Sequence, residues 1–321
     1  MQLSQPVPGG AMIPYLRRFF ASPVARVMAG GVMISFSAVF ARLTTVEPDV
    51  AAFYRTFVGG LFLVGLSLYR KESLRLPRRV LPWAVGAGVS LVLDLVFWHR
   101  SISVVGPGLA TILINFQVFV LAVAGWICFS EQVPKRLLVA VPMALTGLWL
   151  IVGVDVAGLP PNTVLGILLG LGAAFWLGMY TLTVRIARSI PGSPGSAPSV
   201  AVISLTSALL LAGVCLYQGQ SLGIPTVRDG LWLFLYGLVS QGIGWLLIAG
   251  GLPNVPAFVA GMAILIMPTL SFIWDILLFQ RPTGPMGVFG AVLALAAIRL
   301  GVSGGKQAPK CESSGCERGG R

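Results

Sequence analysis

Long uncharged apolar runs alternate along the chain with short segments rich in proline, glycine and charge. The runs predict ten helices, near residues 24–43, 49–69, 80–100, 106–129, 136–154, 164–184, 198–217, 231–249, 256–279 and 284–302. An α-helix rises 1.5 Å per residue, so about 20 residues cross a hydrocarbon core of about 30 Å. Each run meets that length. The breaks carry helix-stopping residues: Glu47-Pro48-Asp49, Leu76-Pro77-Arg78-Arg79, Gly158-Leu159-Pro160-Pro161-Asn162 and Arg281-Pro282-Thr283-Gly284-Pro285. The pattern predicts an all-α integral membrane protein with ten transmembrane helices.

The pattern also repeats. Residues 81–154 slide onto 231–304 without a gap, bringing together Val89 with Val239, Ser90 with Ser240, Val105 with Val255 and Phe129 with Phe279. This divides the chain into an N-terminal segment (1–23), a first five-helix repeat (24–154), a linker (155–163), a second repeat (164–302) and a tail (303–321). Five is an odd number, so the second copy must enter the membrane from the opposite side. The expected architecture is an inverted repeat about an axis in the membrane plane. It supports two states of similar energy and places a site near the midplane between the halves.

Composition agrees. The 321 residues are 56% hydrophobic and 10% charged, against about 25% charged in soluble domains. The formal net charge of +12 raises the question of nucleic acid, but the basic residues sit at the ends of apolar runs and in the tail. One side would hold Arg17, Arg18 and Arg26, the 70–79 loop with Arg70, Lys71, Arg75, Arg78 and Arg79, then Lys135, Arg136, Arg185, Arg188 and the tail. The other holds Arg42, Arg100, Arg228 and Arg281. By the positive-inside rule both termini are expected in the cytoplasm, with no nucleic-acid partner. Residues 1–23 lack the apolar core of a cleaved signal, so the first helix is expected to serve as its own insertion signal. Cys311 and Cys316 have no histidine beside them and fit no common zinc spacing. Gly301–Lys306 lacks the spacing of a phosphate loop. Neither a metal nor another cofactor is expected.

Several segments resemble the drug/metabolite transporter superfamily in its EamA-type branch. They are Phe53-Tyr54-Arg55 in helix 2, Asn115-Phe116-Gln117-Val118-Phe119 through Phe129-Ser130-Glu131 in helix 4, Gly166 to Arg185 with Ala174-Phe175-Trp176 and Tyr180 in helix 6, and Met267-Pro268-Thr269 in helix 9. Gln117-Val118 stands where the family commonly has a proline, and Phe279-Gln280-Arg281 replaces the usual Gly-Glu exit. The resemblance implies a carrier of amino acids, other small metabolites or nucleotide sugars, in a bacterial inner membrane.

Ionisable and polar residues inside the spans are the candidate site, because such groups are costly in lipid. Arg55 and Asp94 lie about six residues from the same ends of helices 2 and 3, about 9 Å deep. They read either as an ion pair locking two helices or as a gate, with the planar fork of Arg55 suited to a substrate carboxylate. His99, the only histidine, reads as interfacial or as a proton relay. Asp275 reads as a proton carrier or as a group of the outer vestibule. Asn115 and Gln117 are expected to line the cavity. Pro268 breaks helix 9, and Trp176, Tyr180 and Trp245 shape a pocket or pack against lipid. Gly166 and Gly170 form a small-xxx-small pattern for close packing, inside the fold or between subunits.

The leading expectation is a secondary transporter exporting small polar metabolites such as amino acids by alternating access. Its partners would be the lipid bilayer, the substrate and a coupling proton, in a monomer or homodimer. The alternatives are an exporter of drug-like or lipophilic cations, a non-transporting scaffold, and a lipid-modifying enzyme. Helix 1 lacks the acidic residue that small cation exporters need, and a lipid enzyme calls for clustered His, Asp or Glu at one interface. No catalytic residue is therefore assigned. A reporter fused after Arg321 that functions only in the cytoplasm should be active in cells; activity confined to the far side of the membrane would sink the expected topology.

Overall fold

The computed structural model describes residues 22–132, 134–152, 162–280 and 284–303, with backbone alone for Pro107 and Gly108. The N-terminal segment to residue 21, most of the linker, Arg281 and the tail with Cys311 and Cys316 lie outside the described residues. The first repeat is α1 (Pro23–Leu43), α2 (Pro48–Tyr69), α3 (Leu81–Gly106), α4 (Leu109–Phe129) and the shorter α5 (Leu137–Ile151). The second is α6 (Thr163–Ser189), α7 (Ser196–Tyr217), α8 (Val227–Asn254), α9 (Ala257–Phe279) and α10 (Pro285–Val302). No strand occurs among the described residues. The expected spans hold, except that α3, α6 and α8 run more than a turn past their expected ends.

Local chemistry sets the helix ends. Proline occupies the first turn of α1, α2 and α10, where a missing N–H costs nothing. At α8 the Thr226 hydroxyl accepts the Asp229 N–H at 3.0 Å. The Asp229 carboxylate in turn accepts the Thr45 N–H at 2.9 Å, which fastens the α1–α2 connection to the start of α8.

The helix ends also reveal the repeat. α4 stops at Ser130 and α9 at Gln280, both left-handed (φ 53° and 51°), with each cap N–H returning to the residue five before, Gly125 and Asp275. These are corresponding positions in the 81–154 and 231–304 match. α2 and α7 likewise finish on left-handed residues, Lys71 (φ 56°) and Gly219 (φ 70°). There the Glu72 N–H reaches the Ser67 carbonyl at 2.8 Å and the Gln220 N–H reaches the Cys215 carbonyl at 2.9 Å, the same helix-ending motif in both copies.

The main packing partners join one repeat to the other: α3 to α6 and α8 to α1, α2 to α8 and α7 to α3, α1 to α9 and α6 to α4, α2 to α7, α4 to α9 and α5 to α10. Exchanging the two repeats turns this set onto itself. Glycines permit the close approaches. A Cβ on Gly166 would clash with a Val105 methyl, and the Ser101 hydroxyl donates to the Gly166 carbonyl at 2.8 Å. The small-xxx-small pattern therefore packs inside the chain. Pro23 and Val302 share one end of the bundle, the terminal end: Gly251, near the end of α8, lies against Pro23, and Gly301 lies against Met262 near the start of α9. The α1–α2 connection marks the far end.

At the α5–α10 crossing a Cβ on Gly290 would lie 2.6 Å from the Gly147 carbonyl oxygen, a backbone atom that cannot swing away. Gly290→Ala is expected to destabilise the fold by about 1–3 kcal/mol, whereas Gly65→Ala, with nothing within 4 Å, should not. Thermal unfolding in detergent compares them; equal melting temperatures would refute the tight crossing.

Candidate binding cavity

Between the repeats lies a cavity of about 730 Å³ that runs from mid-bundle to the far end, where Val46, Pro48, His99 and Asp275 line it. That volume suits a small ligand. Four of the helices around it lose regular α-structure where they line it. α1 breaks at Phe36 between the lining residues Ile34 and Ser37, and α4 breaks at Asn115 and Phe116. α9 breaks at Leu265, and α8 passes through a π-helix over Tyr236–Gly244, with Tyr236 and Trp245 on the wall. Irregular backbone at membrane depth is tolerated where it borders a cavity, and π-segments cluster at functional sites. The α9 break follows from Pro268, which has no N–H to give to Ile264 four residues earlier. The break thus precedes the proline.

Arg55 and Asp94 both line the cavity and are both buried. They do not form the ion pair that adjacent helices allow. No Arg55–Asp94 salt bridge closes among the described residues, and Arg55 Nε and Asp94 Oδ1 are buried without hydrogen-bond partners. The Arg55 guanidinium lies over the Tyr236 ring, 5.6 Å from its centroid. Gln117 Oε1, Trp98 Nε1 and Trp245 Nε1 are also buried and unpartnered on the same wall. Asn115 lines the cavity, but its amide donates to the Thr111 carbonyl. Tyr180 lies outside the wall and supports it, edge-on to Trp245 at 4.3 Å. Trp176 is half-buried, is not part of the cavity wall and stands edge-on to Phe175; Leu177 faces the cavity instead.

At the far rim His99 Nδ1 lies 2.5 Å from Asp49 Oδ1, and Gln218 Nε2 donates to Asp49 Oδ2 at 3.2 Å. His99 of α3 is thus bound to Asp49 of α2, which in turn holds Gln218 at the end of α7. Asp275 accepts from Arg42 at 2.8 Å, and Arg42 lies over the Phe279 ring at 4.3 Å. At the terminal end Arg185 donates to Glu131 at 2.5 Å and lies over the Phe129 ring at 4.0 Å. The second Glu131 oxygen accepts the Ala257 N–H at 2.8 Å.

Sequence reasoning missed Trp98, Tyr236 and Phe272 on the wall because aromatic residues in apolar runs look alike whether they face lipid or a cavity. It also missed Gln241, fully buried beneath the wall, whose amide donates to Ser204 at 2.8 Å. The argument that singled out Asn115 and Gln117, an amide at mid-span, would have found it. The Glu131–Arg185 contact spans 54 positions and carries no local signal.

Among curated proteins no sequence match is found. A solved crystal structure shares the fold with a TM-score of 0.74 over 87% of this chain and 95% of the other, at 19% identity. The EamA-like transporter family matches residues 22–153 and 164–302, one match per repeat. With ten apolar helices among the described residues and both repeats matched, the chain is an integral multi-pass membrane protein that belongs to the EamA-like transporter family.

Proposed function

We propose that this protein is a secondary transporter of small zwitterionic metabolites such as amino acids, working by alternating access and exporting them across a bacterial inner membrane with both termini cytoplasmic. The observation that carries the reading is one cavity holding an arginine and an aspartate that form no ion pair with each other. A buried charge without a partner is costly. A ligand that brings a carboxylate to Arg55 and an ammonium group to Asp94 relieves both costs at once. Trp98, Tyr236, Trp245 and Phe272 supply apolar wall for the remainder of the ligand. The inverted arrangement of the repeats supports exchange between two states around this midplane site. A proton is the expected coupling ion, exchanged at Asp94 against the ammonium group.

Export of lipophilic cations is the second reading, since an aromatic wall with an acid suits them. Arg55 in the same cavity opposes a simple cation and favours the zwitterion.

Purified protein in detergent should be stabilised by amino acids, as a ligand that binds only the folded state raises apparent stability. Neutral amino acids should act more strongly than amines or carboxylic acids of the same size. Stabilisation by lipophilic cations alone would replace this reading with the second. Arg55→Ala and Asp94→Asn should each weaken the effective ligand by at least about tenfold, the scale of one lost charge-assisted hydrogen bond. Exchanging the two residues should be as damaging as either single change, because they do not contact each other. Restored binding in the exchanged protein would show that they serve as a structural pair.

A further inference from the structure

The two ends of the bundle carry similar clusters of an arginine, an acid and an aromatic ring. At the terminal end, Arg185 of α6 meets the aromatic ring and the acid at the end of α4: Phe129 at 4.0 Å and Glu131 at 2.5 Å. At the far end, Arg42 of α1 meets the ring and the acid at the end of α9: Phe279 at 4.3 Å and Asp275 at 2.8 Å. Phe129 and Phe279 are corresponding residues of the two repeats, each one position before the matched left-handed caps Ser130 and Gln280. The acids come from different positions. Glu131 is folded back beneath α4 by the left-handed cap, with its N–H on the Gly125 carbonyl at 3.0 Å, while Asp275 stands one turn before Phe279.

Their surroundings differ. In the terminal cluster Arg185 and Glu131 are 9% and 15% exposed; in the far cluster Arg42 and Asp275 are 53% and 28% exposed. The cavity reaches Asp275 and reaches neither Glu131 nor Arg185. An inverted repeat generates its second state by exchanging the conformations of the two copies, so each cluster shows what the other becomes.

We propose that Phe129, Glu131 and Arg185 are the gate that closes the cavity at the terminal end, and that Arg42, Asp275 and Phe279 are its counterpart at the far end, the two clusters exchanging states as the carrier alternates. This rests on the alternating-access reading and not on the zwitterion as cargo. One asymmetry follows from the sequence. Glu131 holds the N–H of Ala257 at the start of α9; the corresponding residue of the first repeat is Pro107, which has no N–H. The Glu131 bond to the α9 backbone therefore has no copy at Pro107, and the structure shows the state in which the cavity reaches the far end.

The test is the reactivity of one cysteine, Ala38→Cys, which lines the far part of the cavity. It is placed in the full chain with the four native cysteines replaced by serine, and a polar maleimide is added in detergent without substrate. Glu131→Gln should slow its labelling by about tenfold, as a minor state closed at the far end becomes a major one. Adding Asp275→Asn should restore the rate. A merely structural Glu131 would give faster labelling, or slow labelling that Asp275→Asn leaves slow. Either result, or an unchanged rate, overturns the proposal. Should Glu131→Gln not fold, Phe129→Leu takes its place. Labelling needs no cargo, so failure of zwitterion binding and failure of the gates are read separately.

Discussion

A chain inside hydrocarbon has no water to receive its N–H and C=O groups, so each must be bonded within the protein. This constraint turns every long apolar run into a helix and decides where a helix is allowed to break. α1, α4, α8 and α9 all depart from α-geometry, and all do so beside the cavity. The same constraint makes an unpartnered polar atom informative. Arg55 Nε, Asp94 Oδ1, Gln117 Oε1 and Trp245 Nε1 are orphaned on the wall of one cavity, which is where a polar ligand would complete them.

The odd number of helices per repeat supplies the second layer. It inverts the second copy, so the main packing partners bridge the repeats and the cavity lies between them. Close contacts such as Gly147 on Gly290 and Gly30 against the Gly244 carbonyl oxygen hold the bundle without bulky side chains at the crossings. In lipid, where apolar side chains gain nothing by leaving their solvent, such intimate backbone packing is a main source of helix association. It also leaves the ends of α1, α4, α6 and α9 to be closed by polar clusters, which can part and become hydrated at lower cost than a packed core.

Charge placement gives the bundle a direction. The terminal cluster is buried and tied to the backbone of α9, while the far cluster lies at an open rim. His99, bound to Asp49 and through it to Gln218, fixes a second part of that rim. A molecule entering from the far end would pass these groups before meeting Arg55 and Asp94.

Apolar run lengths alone determined the ten spans, because hydrophobic thickness and helical rise are fixed quantities. The match of 81–154 with 231–304 determined the repeat, and it holds down to the φ angles of Ser130 and Gln280. The depth of Arg55 and Asp94 marked them as candidates. Only the tertiary structure decided that they face one cavity without touching, that Trp176 stands off the wall while Tyr236 is on it, and that Arg185 finds Glu131. A helix presents each residue to lipid, to a neighbour or to a cavity according to its rotation about its own axis. In a span apolar on every side, the sequence does not encode that rotation locally. It emerges from which glycines let which helices approach, and that is a property of the whole bundle.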